Sequence, residues 1–198
     1  MKFFVNFLSA FRIAAAFALI PMLMFQWYWV AFVVYVLAAV SDFLDGWLAK
    51  KYNATSKIGG VIDHIGDKLL VAIVMIMVAL MLPFWFIVVP MLIMIARELY
   101  ISGLREFLGT QKVEMPVPAA RFSMGKIKTT LQMITLAAFV LLFALTTTPR
   151  ALSPKMMQIM NTLSKIGIIG MWISLVASVW SATQYTMTFV EKIKKLKK

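Results

Sequence analysis

The sequence predicts an all-α membrane protein with six transmembrane helices, a short N-terminal interfacial helix and both termini in the cytoplasm. Of the 198 residues, 62% are hydrophobic, and the mean hydropathy is +0.89. A soluble domain of this length would have to hide 6 Trp, 15 Phe and 16 Met in its core, which its surface-to-volume ratio does not allow. Long apolar runs separated by short polar connections then divide the chain into spans.

The first half of the chain contains three predicted spans. The segment from Met1 to Phe11 mixes apolar and polar residues, which suits a helix lying at the membrane interface. The first span follows it, and Pro21 inside that span predicts a kink or a ragged end. An aromatic cluster from Gln26 to Trp29 marks the membrane surface before the second span. The three spans are predicted at about 13–24, 30–50 and 59–82.

The second half contains three more spans, separated by polar or proline-containing connections. Pro83 begins a tight uncharged turn, and the segment from Leu108 to Phe122 is polar. The spans are predicted at about 86–105, 125–146 and 165–189. Gly167 and Gly170 in the last span are expected to allow close helix contact, with a dimer interface as one candidate. Since no internal repeat or second domain is visible, residues 1–198 are predicted to form a single membrane domain.

The strong positive charge, +12 at pH 7, is interpreted as a topology signal. Most Lys and Arg fall on the side of the membrane that also holds both termini and the acidic motif described below. Three basic residues fall on the other side, namely Arg150, Lys155 and Lys165. The positive-inside rule therefore predicts a multi-pass protein of the inner (cytoplasmic) membrane, with that motif facing the cytoplasm. We expect the lysine-rich C-terminus to bind membrane lipid headgroups, and we expect no nucleic-acid partner.

Half of the eight acidic residues lie in one short stretch of the sequence. On helical geometry, two faces are each formed by two aspartates and one small residue: Asp42, Asp45 and Ala49 on the first, and Gly59, Asp63 and Asp67 on the second. Two such helices facing each other would bring four carboxylates together. Four negative charges beside lipid require neutralising cations, and hard divalent cations prefer oxygen ligands. The sequence therefore predicts a divalent metal centre.

The motif Asp-x2-Asp-Gly-x2-Ala-Lys-x8-Gly-x3-Asp-x3-Asp closely resembles the signature of the CDP-alcohol phosphatidyltransferases. These are six-helix membrane enzymes, commonly homodimers, in which an alcohol attacks the β-phosphorus of a CDP-linked lipid and CMP leaves. The resemblance implies that two divalent cations, Mg²⁺ or Mn²⁺, are held by Asp42, Asp45, Asp63 and Asp67. It implies that Asp67 is also the general base on the incoming hydroxyl. The positions implied for binding the CDP-lipid are Gly46, Ala49, Lys50 and Gly59.

Two positions depart from the family pattern. Lys50 stands where the signature has Arg, so a point charge replaces a planar bidentate fork on phosphate. His64 stands where related synthases usually have Pro, which loosens the start of the third span. We interpret His64 as a hydrogen-bonded neighbour of Asp63 rather than a metal ligand, because hard cations prefer oxygen.

Two later segments, Ile95–Glu106 and Gly125–Thr129, look like the corresponding segments of phosphatidylglycerophosphate synthases, a branch of that family. There they imply a basic pocket for the phosphate of sn-glycerol 3-phosphate. The matching cations here are Arg97, Arg105, Lys126 and Lys128. The resemblance thus implies CDP-diacylglycerol and sn-glycerol 3-phosphate as substrates. For at least one of the two arginines, an interface ion pair at a helix end is the alternative interpretation.

Other functions are weighed against this one. Inositol phosphate is also anionic and would suit the same cations, so another acceptor within the family stays open. A divalent-cation transporter could also carry acidic residues in its spans. Intramembrane aromatic prenyltransferases hold pyrophosphate through metal-bound aspartates, but their acidic motifs lie far apart in sequence and lack the Gly-Ala-basic insert seen here.

Overall fold

The computed structural model describes residues 2–51, 57–110, 124–149 and 153–196. Within them, the side chains of residues 2–6, 43, 45–51, 57–58, 63, 124–128 and 195–196 lie outside the description. Every regular element in the described part is a helix, as the sequence predicts. The helices are α1 (Lys2–Met24), α2 (Tyr28–Lys51), α3 (Lys57–Met81), α4 (Trp85–Thr110), α5 (Met124–Thr146) and α6 (Pro154–Leu196).

Five of these helices are long and apolar enough to cross a membrane, namely α1, α3, α4, α5 and α6. In α2 the described apolar part is shorter and covers Tyr28–Asp42. The chain is thus an all-helical protein with five to six helices able to span a membrane, which confirms the predicted fold class.

The first helix differs in detail from the prediction. The expected interfacial segment and the first span form one continuous helix, α1, since no Gly or Pro separates them in the sequence. Pro21 does not break α1, which continues to Met24. The turn after the helix contains Gln26, whose φ of 62° is left-handed. There the Trp27 amide donates to the Met22 carbonyl at 2.8 Å, which satisfies one of the last carbonyls of the helix.

The last helix is longer than the predicted sixth span. It begins at Pro154 and runs for 43 residues, so that Lys155, predicted to lie in a loop, belongs to its first turn. Ser153 caps this start, because its Oγ accepts a hydrogen bond from the Met156 amide at 3.3 Å. Proline suits the first turn of a helix because its missing N–H would lack an intrahelical partner there.

The helices pack in two groups. Helix α1 lies against both α2 and α3, and α6 lies against both α4 and α5. One tie between the groups is the Tyr35 hydroxyl of α2, which donates to the Met133 carbonyl of α5 at 2.9 Å. Within the second group, the Trp172 indole of α6 donates to the Phe86 carbonyl of α4 at 3.1 Å. This arrangement places α1 between the two helices that carry the aspartates.

The glycines of α6 lie in close contact with another helix of the same chain. At Gly167 an added Cβ would lie 3.0 Å from Cζ of Phe139 on α5. The predicted close helix contact is therefore present, and its partner is α5.

Candidate active site

Asp42 on α2 and Asp67 on α3 meet at a single nitrogen atom of α1. Nη1 of Arg12 lies 3.0 Å from Oδ1 of Asp42, and the same atom donates to Oδ1 of Asp67. Two acceptors on one donor are at most about 6 Å apart. Of the four predicted metal ligands, the structure thus brings together the first and the last. Among the described residues the contact runs through α1 rather than through direct packing of α2 on α3.

The three charged groups differ in their exposure to solvent. The Arg12 side chain is 0% exposed, whereas those of Asp42 and Asp67 are 29% and 30% exposed. A buried guanidinium is stable only where anions pair with it, and these two carboxylates supply that charge. Each carboxylate therefore has a side that binds Arg12 and a side that stays accessible.

The other residues of the acidic motif are placed by their backbone. Asp45, Gly46, Ala49 and Lys50 lie on α2 beyond Asp42, and their side chains fall outside the description. Asp63 lies on α3 one helical turn before Asp67, and its side chain is likewise outside the description. Among the side chains that are described, no group of three or more His, Cys, Asp or Glu could hold a metal ion.

Two smaller features of α3 complete this part of the site. Gly59 is buried in the first turn, while His64 is exposed.

Carboxylate oxygens such as those of Asp42 and Asp67 are the ligands that Mg²⁺ and Mn²⁺ prefer. The donor set that the structure describes therefore fits a hard divalent cation.

Arg97 on α4 lies in the interface with α6. Its Nε donates to the Ser178 carbonyl at 3.1 Å, its Nη2 to the Ser181 hydroxyl at 2.9 Å, and its Nη1 to Oε1 of the adjacent Glu98 at 2.8 Å. The side chain is 10% exposed. These contacts use three of the five guanidinium N–H donors.

Arg105 lies two helical turns further along α4 and also contacts α6. Its Nη2 donates to the Tyr185 hydroxyl at 2.9 Å, and its Cζ lies 5.0 Å from the centre of the same ring. A guanidinium over an aromatic face is stabilised by the ring quadrupole. This contact fixes the plane of the guanidinium and uses one of its five donors.

Lys68 connects α3, which carries Asp67, to α4, which carries Arg97 and Arg105. It follows Asp67 in α3, and its Nζ donates to the Ser102 hydroxyl of α4. Glu98, Arg105 and Arg97 of α4 act on its ammonium group electrostatically. The residue that follows Asp67 therefore contacts the stretch of α4 that lies between Arg97 and Arg105.

The remaining predicted cations lie on α5, and one groove lies between α4 and α6. Lys126 and Lys128 are in the first turns of α5, with side chains outside the description. An open groove of about 590 Å³ between α4 and α6 has a largely apolar lining to which Arg97 contributes. Such a lining suits a hydrocarbon chain better than a polar acceptor.

Sequence reasoning missed Arg12 and Lys68 as parts of this site. Both were counted only among the cations that orient the protein in the membrane. A signal was present, because a charge within an apolar span is expected to pair with an opposite charge. Four aspartates on the neighbouring spans were the obvious partners.

The chain is similar in sequence to known proteins. Residues 3–180 match the CDP-alcohol phosphatidyltransferase family. The chain is similar to a CDP-diacylglycerol–glycerol-3-phosphate 3-phosphatidyltransferase of Pectobacterium atrosepticum, with 33% identity over 90% of each chain. It is also similar to a protein of the same name from Rickettsia bellii, with 40% identity over 69% of this chain and 74% of the relative. Family members generally depend on divalent metal ions. The chain therefore belongs to the CDP-alcohol phosphatidyltransferase family.

Proposed function

We propose that this protein transfers the phosphatidyl group of CDP-diacylglycerol to sn-glycerol 3-phosphate, forming phosphatidylglycerophosphate and CMP. The observation that carries the proposal is the meeting of Asp42 and Asp67 at one buried cation, within a chain whose relatives bear the name of that activity. The neighbouring cations of α3 and α4 support an anionic acceptor.

Asp42, Asp45, Asp63 and Asp67 would hold two divalent cations, Mg²⁺ or Mn²⁺. The two carboxylates whose side chains are described support this, since they are close together and about 30% exposed. When bound, the metals neutralise the diphosphate and stabilise charge on the leaving phosphate.

The CDP-lipid would lie along α2 and the start of α3. Gly46, Ala49 and Gly59 leave room for close approach of the cytidylyl group, because they have no side chain or only a methyl group. Gly59 is buried in the first turn of α3, as expected for a position that packs tightly. Lys50 would contribute a point charge to the nucleotide phosphates.

In the transfer step, a hydroxyl oxygen of the acceptor attacks the β-phosphorus of CDP-diacylglycerol. A new phosphorus–oxygen bond forms there, and the bond between that phosphorus and the bridging oxygen breaks, so that CMP leaves with this oxygen. The hydroxyl proton passes to the carboxylate of Asp67. Its 30% exposure supports this role, because a general base must be reachable by the group that it deprotonates.

The acceptor phosphate would bind Arg97, Arg105, Lys126 and Lys128, with Lys68 as a further cation. The contact of Lys68 with Ser102 supports this arrangement, since it sets the stretch of α4 between the two arginines against the residue that follows Asp67. Arg105 has more unused donors than Arg97 and is the stronger candidate for direct phosphate contact. A neutral acceptor such as serine or inositol would leave most of these cations without an anionic partner.

The positive-inside rule supports a location in the inner (cytoplasmic) membrane, with the active site facing the cytoplasm. A homodimer, as is common in the family, is the expected assembly.

The test is an acceptor panel with purified protein, CDP-diacylglycerol and Mg²⁺ or Mn²⁺. We expect CMP release with sn-glycerol 3-phosphate and little with serine, inositol or inositol phosphate. Faster turnover of inositol phosphate would show that the acceptor is wrong and that phosphatidyl transfer is right. Cation flux into proteoliposomes without any lipid product would instead favour a transporter.

A further inference from the structure

Arg12 has no role in the chemistry proposed above, yet it is the buried centre of the aspartate cluster. We infer that Arg12 is a positioning residue, which fixes the Asp42 and Asp67 carboxylates at the separation that divalent metal binding requires. The inference rests on the proposed function, because it assumes that these aspartates bind metal. It concerns how the site is built rather than which acceptor is used.

The geometry is that of an outer clamp on metal ligands. Nη1 of Arg12 contacts Oδ1 of each carboxylate, and each carboxylate also carries Oδ2. Asp42 and Asp67 are on different helices, and both keep about 30% of their side-chain surface exposed. Without a common partner, two like charges on separate helices repel each other and each can turn to a different rotamer. Arg12 opposes both movements with one fully buried group.

The backbones of α1 and α3 lie close together beside Arg12. An added Cβ at Gly66, the residue before Asp67, would lie 3.4 Å from the Ser9 carbonyl oxygen, 3.5 Å from Cγ1 of Ile13 and 3.6 Å from Cβ of Arg12. These are ordinary van der Waals distances, so the space between α1 and α3 at Gly66 would accept a methyl group but little more. The absence of a larger side chain at position 66 lets the Arg12 guanidinium reach Asp67.

Removing Arg12 would have two effects of opposite sign on metal affinity. Loss of a positive charge favours binding of another cation, whereas loss of the clamp disfavours it because the ligands are no longer held in place. Outer partners of metal ligands typically contribute about 10- to 100-fold in affinity. We infer that the clamp dominates, since one nitrogen holds ligands from two different helices. The sign of the change in metal affinity therefore shows whether the lost clamp or the lost positive charge dominates.

The experiment is a Mn²⁺ titration of the purified protein in detergent without nucleotide or acceptor, followed by the decrease in the EPR signal of free Mn²⁺. Arg12→Gln is expected to weaken Mn²⁺ binding by about 10- to 100-fold. Arg12→Lys should recover part of the loss, because a single nitrogen makes both contacts. The matched control is Lys155→Gln, which removes one charge from an exposed position in the first turn of α6 and should bind Mn²⁺ like the unmodified protein.

A second pair of variants tests the clamp without changing any charge. Gly66→Ala fits the space available and should bind Mn²⁺ normally. Gly66→Leu should separate α1 from α3 and weaken Mn²⁺ binding by at least about tenfold, the lower end of the range for outer partners. If Arg12→Gln does not survive purification, Arg12→Lys and the Gly66 pair decide the matter.

The outcomes separate this inference from the proposed function. Equal or tighter Mn²⁺ binding by Arg12→Gln would overturn the positioning role, even if the unmodified protein releases CMP with sn-glycerol 3-phosphate. Weaker Mn²⁺ binding would support it, even if the acceptor proved to be inositol phosphate. No Mn²⁺ binding by the unmodified protein would overturn the inference outright.

Discussion

Gly170 of α6 lies directly against Thr135 of α5. A Cβ added to Gly170 would be 2.5 Å from Oγ1 of Thr135, well inside van der Waals contact. Thr135 is itself buried, with 3% of its surface exposed, so it has little room to yield. The α5–α6 interface therefore depends on the missing side chain at position 170.

Replacing Gly170 with Val should destabilise the protein by about 1 to 3 kcal/mol, the usual cost of overpacking a tight interface. Gly103→Val is the matched control, because a Cβ at Gly103 of α4 would meet nothing within 4 Å. That control should change stability by no more than about 0.5 kcal/mol. Thermal unfolding midpoints in detergent measure both. Equal midpoints for the two variants would contradict the close packing at Gly170.

Asp42→Asn and Asp63→Asn are expected to abolish CMP release while leaving the protein folded. An amide is a weaker ligand for a hard cation than a carboxylate, and it removes one charge from the metal site. The loss should exceed the roughly 100-fold that outer partners of a metal ligand can cost. The measurement is CMP release, with elution volume and thermal midpoint as controls for folding. Undiminished turnover in either variant, or turnover that survives exhaustive chelation, would contradict the metal mechanism.

Lys50→Ala should mainly raise the KM for CDP-diacylglycerol. The lost contact is with the nucleotide phosphates in the ground state, so kcat should change less than KM. Lys50→Arg should keep most activity, because a guanidinium keeps the positive charge and presents a planar bidentate fork to phosphate. Initial rates over a range of CDP-diacylglycerol concentrations test both variants. An unchanged KM in Lys50→Ala would place this residue outside the nucleotide site.

Arg105→Ala, Lys126→Ala and Lys68→Ala should each raise the KM for sn-glycerol 3-phosphate by at least about tenfold, which corresponds to 1.4 kcal/mol. Charge-assisted hydrogen bonds to a phosphate dianion are of that size or larger. The KM for CDP-diacylglycerol should stay nearly unchanged. Tyr185→Phe is the comparison for Arg105, because it removes one hydrogen bond and keeps the ring. A smaller effect is expected there, and an equal shift for both substrates would contradict a dedicated acceptor pocket.

The sequence predicted the helical fold from its long apolar runs, and it predicted that the aspartates share helix faces on one side of the membrane from their spacing and from the charge distribution. It could not show that a third helix lies between them. The two faces were expected to meet directly, whereas Arg12 of α1 makes the contact. Which helices become neighbours depends on packing between distant segments, and helical spacing carries no information about that.

Helix ends were predicted less well than helices. Lys155 was predicted to lie in a loop, although Ser153 followed by Pro154 is a favourable helix start. Similarly, the polar residues near the N-terminus suggested a separate interfacial helix, and α1 runs through them without a break. Polarity alone does not end a helix unless glycine, proline or a competing cap is present.

The length of α6 links Arg97 and Arg105 to the thickness of the bilayer. At 1.5 Å per residue its 43 residues extend for about 65 Å, roughly twice the 30 Å hydrocarbon core of a membrane. The excess must project into water or be taken up by tilt. Arg97 and Arg105 are held by α6 through Ser178, Ser181 and Tyr185, so a change in the tilt of α6 moves their anchors. Lipids that alter bilayer thickness therefore act on the same helix that orients these two guanidinium groups.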